Sequence, residues 1–180
     1  MKKIFFLLSL IVSVSTLQAQ EIKWMSMNEA LKAQKAKPKK IFVDAYTTWC
    51  GPCKLLDKNT FGNKDVINYI NKHYYAVKFN AEGNEVINYR DKVFKNPNYD
   101  PNKSGRNAVH EFALAMGVSA YPTMVFFDEK GDFLSPLKGY LTPDKLEIFL
   151  KIFATDDYKT VKTEEQWEKY QKDFKSTFSS

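Results

Sequence analysis

The chain contains two cysteines, Cys50 and Cys53, and only two residues separate them. A bridge across so short a loop restrains the unfolded chain little, because that gain grows with the length of loop closed. The fold must therefore be held by a hydrophobic core and not by disulfide staples. The composition permits this: 180 residues, 44% hydrophobic and 15% aromatic, suit one domain with additions. A pair so poor as a staple is expected to serve chemistry.

The first twenty residues are read separately. Met1-Lys2-Lys3 is a basic start, Ile4 to Val14 is an apolar run broken only by Ser9 and Ser13, and a polar stretch leads to the charged sequence from Glu21. This three-part layout predicts a signal peptide over residues 1–20, and its apolar run is shorter than the ~20 residues a bilayer crossing needs. The alternative is an uncleaved N-terminal anchor facing the periplasm. No later stretch is apolar enough to span a membrane, so the expectation is an exported, periplasmic protein. Losing Lys2 and Lys3 leaves a mild positive balance. Lys35, Lys37, Lys39 and Lys40 cluster beside Pro38; this reads as a solvated helix end leading into a strand, and no nucleic-acid partner is expected.

Ser26-Met27-Asn28-Glu29 reads as a capping box for a helix that Pro38 ends. Ile41 to Tyr46 is a short apolar, β-prone run, a buried strand in which Asp44 is out of place. Lys54 to Thr60 continue the cysteine turn as a helix, and Asn63 caps another. Tyr75 to Phe79 is the second strand. The polar segment from Asn80 to Asn107 follows, with Val86 to Phe94 suited to helical turns. Ala108 to Met116 reads as a helix stopped by a left-handed Gly117. Thr123 to Phe127, the turn at Asp128 to Gly131 and Asp132 to Lys138 form a hairpin. Thr142 caps a helix that runs to about Phe153, with Pro143 in its first turn. Glu164 to Phe178 reads as a last helix, with Trp167, Tyr170, Phe174 and Phe178 on one face. That face is expected to pack on the parent domain, the alternative being a partner-binding surface. The element order, β-α-β-α-β-β-α behind an extra helix, implies an α/β fold: a central mixed sheet with helices on both faces.

Trp49-Cys50-Gly51-Pro52-Cys53-Lys54 lies between a strand and a helix. Cys50 then stands at a helix N-terminus, where free amides and the macrodipole favour a thiolate, the attacking species in disulfide exchange. Pro52 is tolerated in the first turn, where its missing N–H needs no partner. Structural zinc would need four ligands, yet the chain has no further cysteine, and His73 and His110 lie on separate elements without metal-type spacing. No metal is expected.

The segment WCGPCK, the strand FVDAY before it and the later Tyr121-Pro122-Thr123 together resemble the thioredoxin family, over about residues 39–153 apart from the long insertion. The resemblance implies the thioredoxin fold, with a redox-active Cys50–Cys53 disulfide and no other cofactor. It implies that Asp44 is buried below Cys53 and helps move its proton, where the bare residue reading also allows an edge-strand carboxylate facing water. Lys78 resembles the family lysine that faces this Asp, although a solvated strand lysine fits the same pattern. Trp49, Gly51, Pro52, Tyr121 and Pro122 match the substrate-binding surface, with a cis bond expected before Pro122. A narrower likeness, in Lys58-Asn59-Thr60-Phe61 and Val125-Phe126-Phe127-Asp128, is to the periplasmic thioredoxin-like domain of thiol:disulfide interchange proteins. The chain departs from these in lacking their transmembrane region and in carrying Gly-Pro between its cysteines.

The expected organisation is a signal peptide (1–20), a thioredoxin-like domain (21–154, insertion about 82–107) and a C-terminal helical extension (155–180). The insertion is open between a lid, a partner surface and a long loop. The expected activity is reduction of disulfides in envelope proteins, or electron relay, with re-reduction by a membrane-embedded thiol reductase. The alternatives are a disulfide oxidase or isomerase, and a non-enzymatic partner-binding module.

Overall fold

The strand Lys40–Tyr46 (β2) is buried at six of its seven positions, so it must run through the middle of the structure. In this computed structural model, which describes residues 21–179, β2 lies between Tyr74–Asn80 (β3), parallel to it, and Thr123–Phe127 (β6), antiparallel. The expected signal segment, residues 1–20, lies outside the described residues. Phe133–Lys138 (β7) extends one edge antiparallel to β6, and the two-residue strand Trp24–Met25 (β1) extends the other parallel to β3. The sheet order is β1-β3-β2-β6-β7. Two residues carry no period, so β1 leaves no trace in the sequence pattern.

Side chains alternate along β2 and divide the core in two. Ile41, Val43 and Ala45 join a layer containing Met27 and Ala30 of the helix Met27–Ala36 (α1) and Phe112 of Glu111–Ala115 (α4). Phe42 joins the other layer, with Leu56 of Gly51–Asn59 (α2), Ile70 of Lys64–His73 (α3), and Leu146 and Leu150 of Pro143–Ala154 (α5). The result is the mixed sheet covered on both faces that the sequence predicts. The Ser26–Glu29 capping box forms, and Asn63 Oδ1 accepts from the amides of Asp65 and Val66. No helix among the described residues is long and apolar enough to cross a membrane.

Several local expectations are corrected. Val86 to Phe94 forms a hairpin, Ile87–Tyr89 (β4) with Lys92–Phe94 (β5), where helical turns were expected. Ile87 is fully buried, and the rings of Tyr89 and Phe94 lie 5.5 and 5.2 Å from Phe112, a packing that a helix would break. Asn96 closes the neck of the insertion, its Nδ2 donating to Gly83 O (2.9 Å) and Ala108 O (2.7 Å). The helix expected from Ala108 begins only at Glu111, because the His110 amide donates to Ala81 O (2.8 Å) and holds the preceding chain away from the helix. His110 Nδ1 instead caps α4, accepting from Phe112 N at 3.0 Å. Gly117 does take the left-handed conformation, at φ 69°. Thr142 makes no side-chain cap; only its carbonyl receives the first α5 amides. Lys40 is not solvated but 3% exposed, its ammonium paired with Glu129 and with Asp156 (2.7 Å).

The C-terminal helix (α6) covers only Glu164–Asp173. Trp167 packs on Phe149 at 5.6 Å between ring centres, but Phe178 leaves the helix and meets Tyr69 of α3 at 5.7 Å. What draws the tail away is Glu147, fully buried on α5. Its carboxylate accepts from Ser176 Oγ (2.5 Å), Thr177 N (2.7 Å), Thr177 Oγ1 (2.5 Å) and Phe178 N (2.9 Å), and Lys151 lies 2.5 Å away. Burial alone would push the Glu147 pKa up; Lys151, Ser176, Thr177 and the Phe178 amide outweigh it and hold the pKa at about 2. A pKa below the unfolded value adds stability that is present above ~pH 4.5 and lost as pH falls toward 2. Glu147→Gln should therefore cost about 2 kcal/mol at pH 7 in urea unfolding. Its difference from the unmodified protein should shrink between pH 5 and pH 2, whereas a constant difference would show that the carboxylate charge does not hold the tail.

Candidate active site

The end of β2 and the start of α2 are joined by Thr47-Thr48-Trp49, and Cys50 N donates to Thr47 O (3.2 Å) as the chain turns. Cys50 is the N-cap of α2: its Sγ accepts from the Cys53 amide at 3.1 Å, one of the orphan donors of the first turn. Pro52 sits in that turn. Cys50 and Cys53 form a disulfide with S–S 2.10 Å, and each is 2% exposed. Gly51 and Pro52 remain exposed above them. When the pair is reduced, the same amides and dipole favour the Cys50 thiolate.

Asp44 is 1% exposed, on the β2 face that also carries Phe42 toward α2. Its register partner on β3 is Lys78, whose Nζ lies 2.6 Å from Asp44 Oδ2. Asp44 Oδ1 has no hydrogen-bond partner. Burial drives the Asp44 pKa up, Lys78 pulls it back, and the outcome is about 6. Burial disfavours the Lys78 ammonium, but Asp44 and Asp57 more than compensate and raise its pKa. Trp24, Tyr46 and Phe61 surround this ammonium, with ring centres at 5.1, 5.0 and 5.5 Å. Asp57 pairs with Lys78 from one helical turn beyond Cys53. The sequence reading passed it over; an acid four residues after Cys53 on the same helix was the available signal.

The second wall of the site is the loop before β6. The Tyr121–Pro122 peptide is cis, and Pro122 O accepts from Gly139 N at 2.8 Å. Trp49 meets Tyr121 edge to face at 5.7 Å, so the cysteine turn and the proline loop touch through these two rings. Trp49 Nε1 donates to Glu82 Oε2 at 2.7 Å, and the same oxygen accepts from Asn107 N at 2.8 Å. The guanidinium of Arg106 stands 4.5 Å over the Trp49 ring. Glu82 and Arg106 sit at the two ends of the insertion, and neither carries a motif. Only the fold brings them to Trp49. Among the described residues no three His, Cys, Asp or Glu side chains gather as metal ligands.

Comparison with known proteins agrees with this geometry. A family model described as a thioredoxin-like domain matches residues 27–154. Among solved structures, a thioredoxin-fold protein from Helicobacter pylori is 20% identical, with a TM-score of 0.58 over 75% of this chain and 81% of its own. The DsbH oxidoreductase is 16% identical, with a TM-score of 0.54 over 81% and 92% of the two chains. A candidate disulphide-isomerase from Bacteroides thetaiotaomicron is 29% identical, with a TM-score of 0.52 over 77% and 97%. A search of curated proteins gives no significant match. The matched span holds both the two-sided sheet and the linked Cys50–Cys53 pair at its helix start, and on these grounds the chain belongs to the thioredoxin-like domain family and is a thiol–disulfide oxidoreductase.

Proposed function

We propose that the protein is an exported disulfide reductase or electron relay of the cell envelope. The Cys50 thiolate attacks one sulfur of a substrate disulfide, forming a mixed disulfide and releasing the other substrate sulfur as a thiolate. Cys53 gives its proton to Asp44 and attacks Cys50 Sγ. The Cys50–Cys53 bond forms, the second substrate sulfur leaves, and the proton held by Asp44 passes to a released thiolate by way of solvent. Two electrons have moved to the substrate, and a donor dithiol must return them; a membrane-embedded thiol reductase is the donor class we assign. Trp49, Gly51 and Pro52 on one side, with Tyr121 and Pro122 on the other, frame the substrate chain, and Lys78 holds Asp44.

The observation that carries this reading is an acid 1% exposed on the strand leading into a Cys-Gly-Pro-Cys helix start. Near a pKa of about 6, Asp44 is mostly ionised at neutral pH yet basic enough to take a thiol proton. The Gly-Pro dipeptide supports reduction, and the layout of residues 1–20 supports export. A second reading, isomerisation, is favoured by the 29% identity to the candidate disulphide-isomerase.

Cys53→Ser should trap envelope proteins as mixed disulfides through Cys50, and Cys50→Ser should trap none. Recovery of equal adducts from both variants would overturn the order of attack. The reduction potential should lie near the thioredoxin value of about −270 mV, and one above about −150 mV would favour an oxidase.

Asp44→Asn should slow insulin reduction by about 100-fold at pH 6.5 to 7, with the defect fading above ~pH 8.5, where the Cys53 thiol ionises unaided. The same variant should alter stability in the opposite sense. The folded pKa of Asp44 is raised, so its contribution is intact below ~pH 4 and lost as pH climbs through 6, by about 3 kcal/mol. Urea midpoints of the oxidised protein should show Asp44→Asn gaining on the unmodified chain between pH 4 and pH 7.

A further inference from the structure

The insertion delivers one side chain to the dithiol rim that the exchange chemistry does not require. Arg106 is exposed, and it stands 4.5 Å over the ring of Trp49, the residue before Cys50. Its placement is set by its neighbour. Asn107 donates its amide to Glu82, accepts the Asp100 and Ala108 amides at Oδ1 (3.0 and 2.9 Å), and returns Nδ2 to Asp100 O (2.7 Å). Gly105, at φ 99°, makes the bend before it. None of the ion pairs among the described residues includes Arg106.

The rim segments on either side of the dithiol carry charge of one sign. Residues 47–54 (TTWCGPCK), 118–123 (VSAYPT) and 139–141 (GYL), which form the cysteine turn, the proline loop and the strand end tied to it, contain no acid and one exposed cation, Lys54. Glu82 contacts Trp49, but it is 6% exposed and its Oε2 is occupied by the indole N–H and the Asn107 amide. A guanidinium lying on an indole keeps its N–H edge free for a carboxylate, and stacking holds it in one orientation.

We infer that Arg106 is a specificity-determining residue that selects disulfides flanked by an acidic side chain. This rests on the proposed attack of Cys50 on substrates held beside Trp49. An incoming chain that crosses the rim there passes two exposed cations, Lys54 and Arg106, and a Glu or Asp next to its cystine pairs with Arg106 as the sulfur reaches Cys50.

The test uses three disulfide-linked peptides that differ only in a Glu, Gln or Lys beside the cystine, with the neutral hydroxyethyl disulfide as reference. Reduction by the full, pre-reduced protein is followed for the unmodified chain, Arg106→Gln and Arg106→Glu, each rate divided by the same protein's rate on the reference. Peptide charge also alters disulfide reactivity, but that effect is common to all three proteins and cancels between them. The unmodified chain should exceed Arg106→Gln in its Glu-to-Gln ratio of second-order rate constants by roughly two- to five-fold at low salt, and the gap should close in high salt. Arg106→Glu should shift preference toward the Lys peptide. Identical Glu:Gln:Lys ratios in the three proteins would overturn the inference while leaving the dithiol chemistry intact. An unmodified protein unable to reduce even hydroxyethyl disulfide would overturn both.

Discussion

A carboxylate inside a sheet layer loses its water, and an uncompensated charge there costs several kcal/mol. Asp44 meets that constraint with one ion pair, to Lys78 at 2.6 Å, and much of the surrounding structure serves the pair. Lys78 must itself be desolvated to reach Asp44, so three rings and Asp57 enclose its ammonium. One of those rings is Trp24 of β1, which gives the short edge strand a purpose beyond two ladder positions. The compensation is incomplete, since Oδ1 stays without a partner and the pKa stays raised. A fully satisfied acid would be more stable but a worse proton acceptor at neutral pH.

The same economy recurs at two other buried ionisable groups with different results. Lys40, on the same strand, answers to both Glu129 and Asp156, and Glu147 to four donors and Lys151. These two are satisfied and tie distant segments together: Lys40 joins the β6–β7 turn to the end of α5, and Glu147 joins α5 to the tail. Of these three, Asp44 alone, beneath the dithiol helix, keeps an oxygen without a partner. Pairing is complete where Lys40 and Glu147 tie segments together and incomplete at Asp44.

Much of this arrangement was legible in the residues themselves. Ser26 and Glu29, Asn63, Gly117 and the Cys50 turn work through neighbours a few positions away, and such local chemistry is written in spacing. Asp44 could be singled out because an acid breaks an apolar run. The rest depends on long-range contact. The hairpin at Ile87 to Phe94 turns at Arg90, at φ 55°, where hairpins usually carry Gly or Asn, so its signal was missing. Lys40 looks like its lysine neighbours until Glu129 and Asp156 are brought to it. Glu82 and Arg106 are 24 positions apart and meet at Trp49 only because the insertion closes on itself at Asn96. Phe174 and Phe178 fit the helical stripe by period, yet the Glu147 carboxylate binds the tail in an extended form instead.

That tail has a consequence for how the molecule is made. Residues 176–179 leave the ribosome after every element they touch, and they cover both the buried acid of α5 and the start of α3, where Asp65 accepts from Ser179 N at 2.9 Å. Until they emerge, Glu147 lacks the four donors they supply and Tyr69 lacks the ring of Phe178. Closure over α3 and α5 therefore waits on residues 176–179, which follow both helices along the chain.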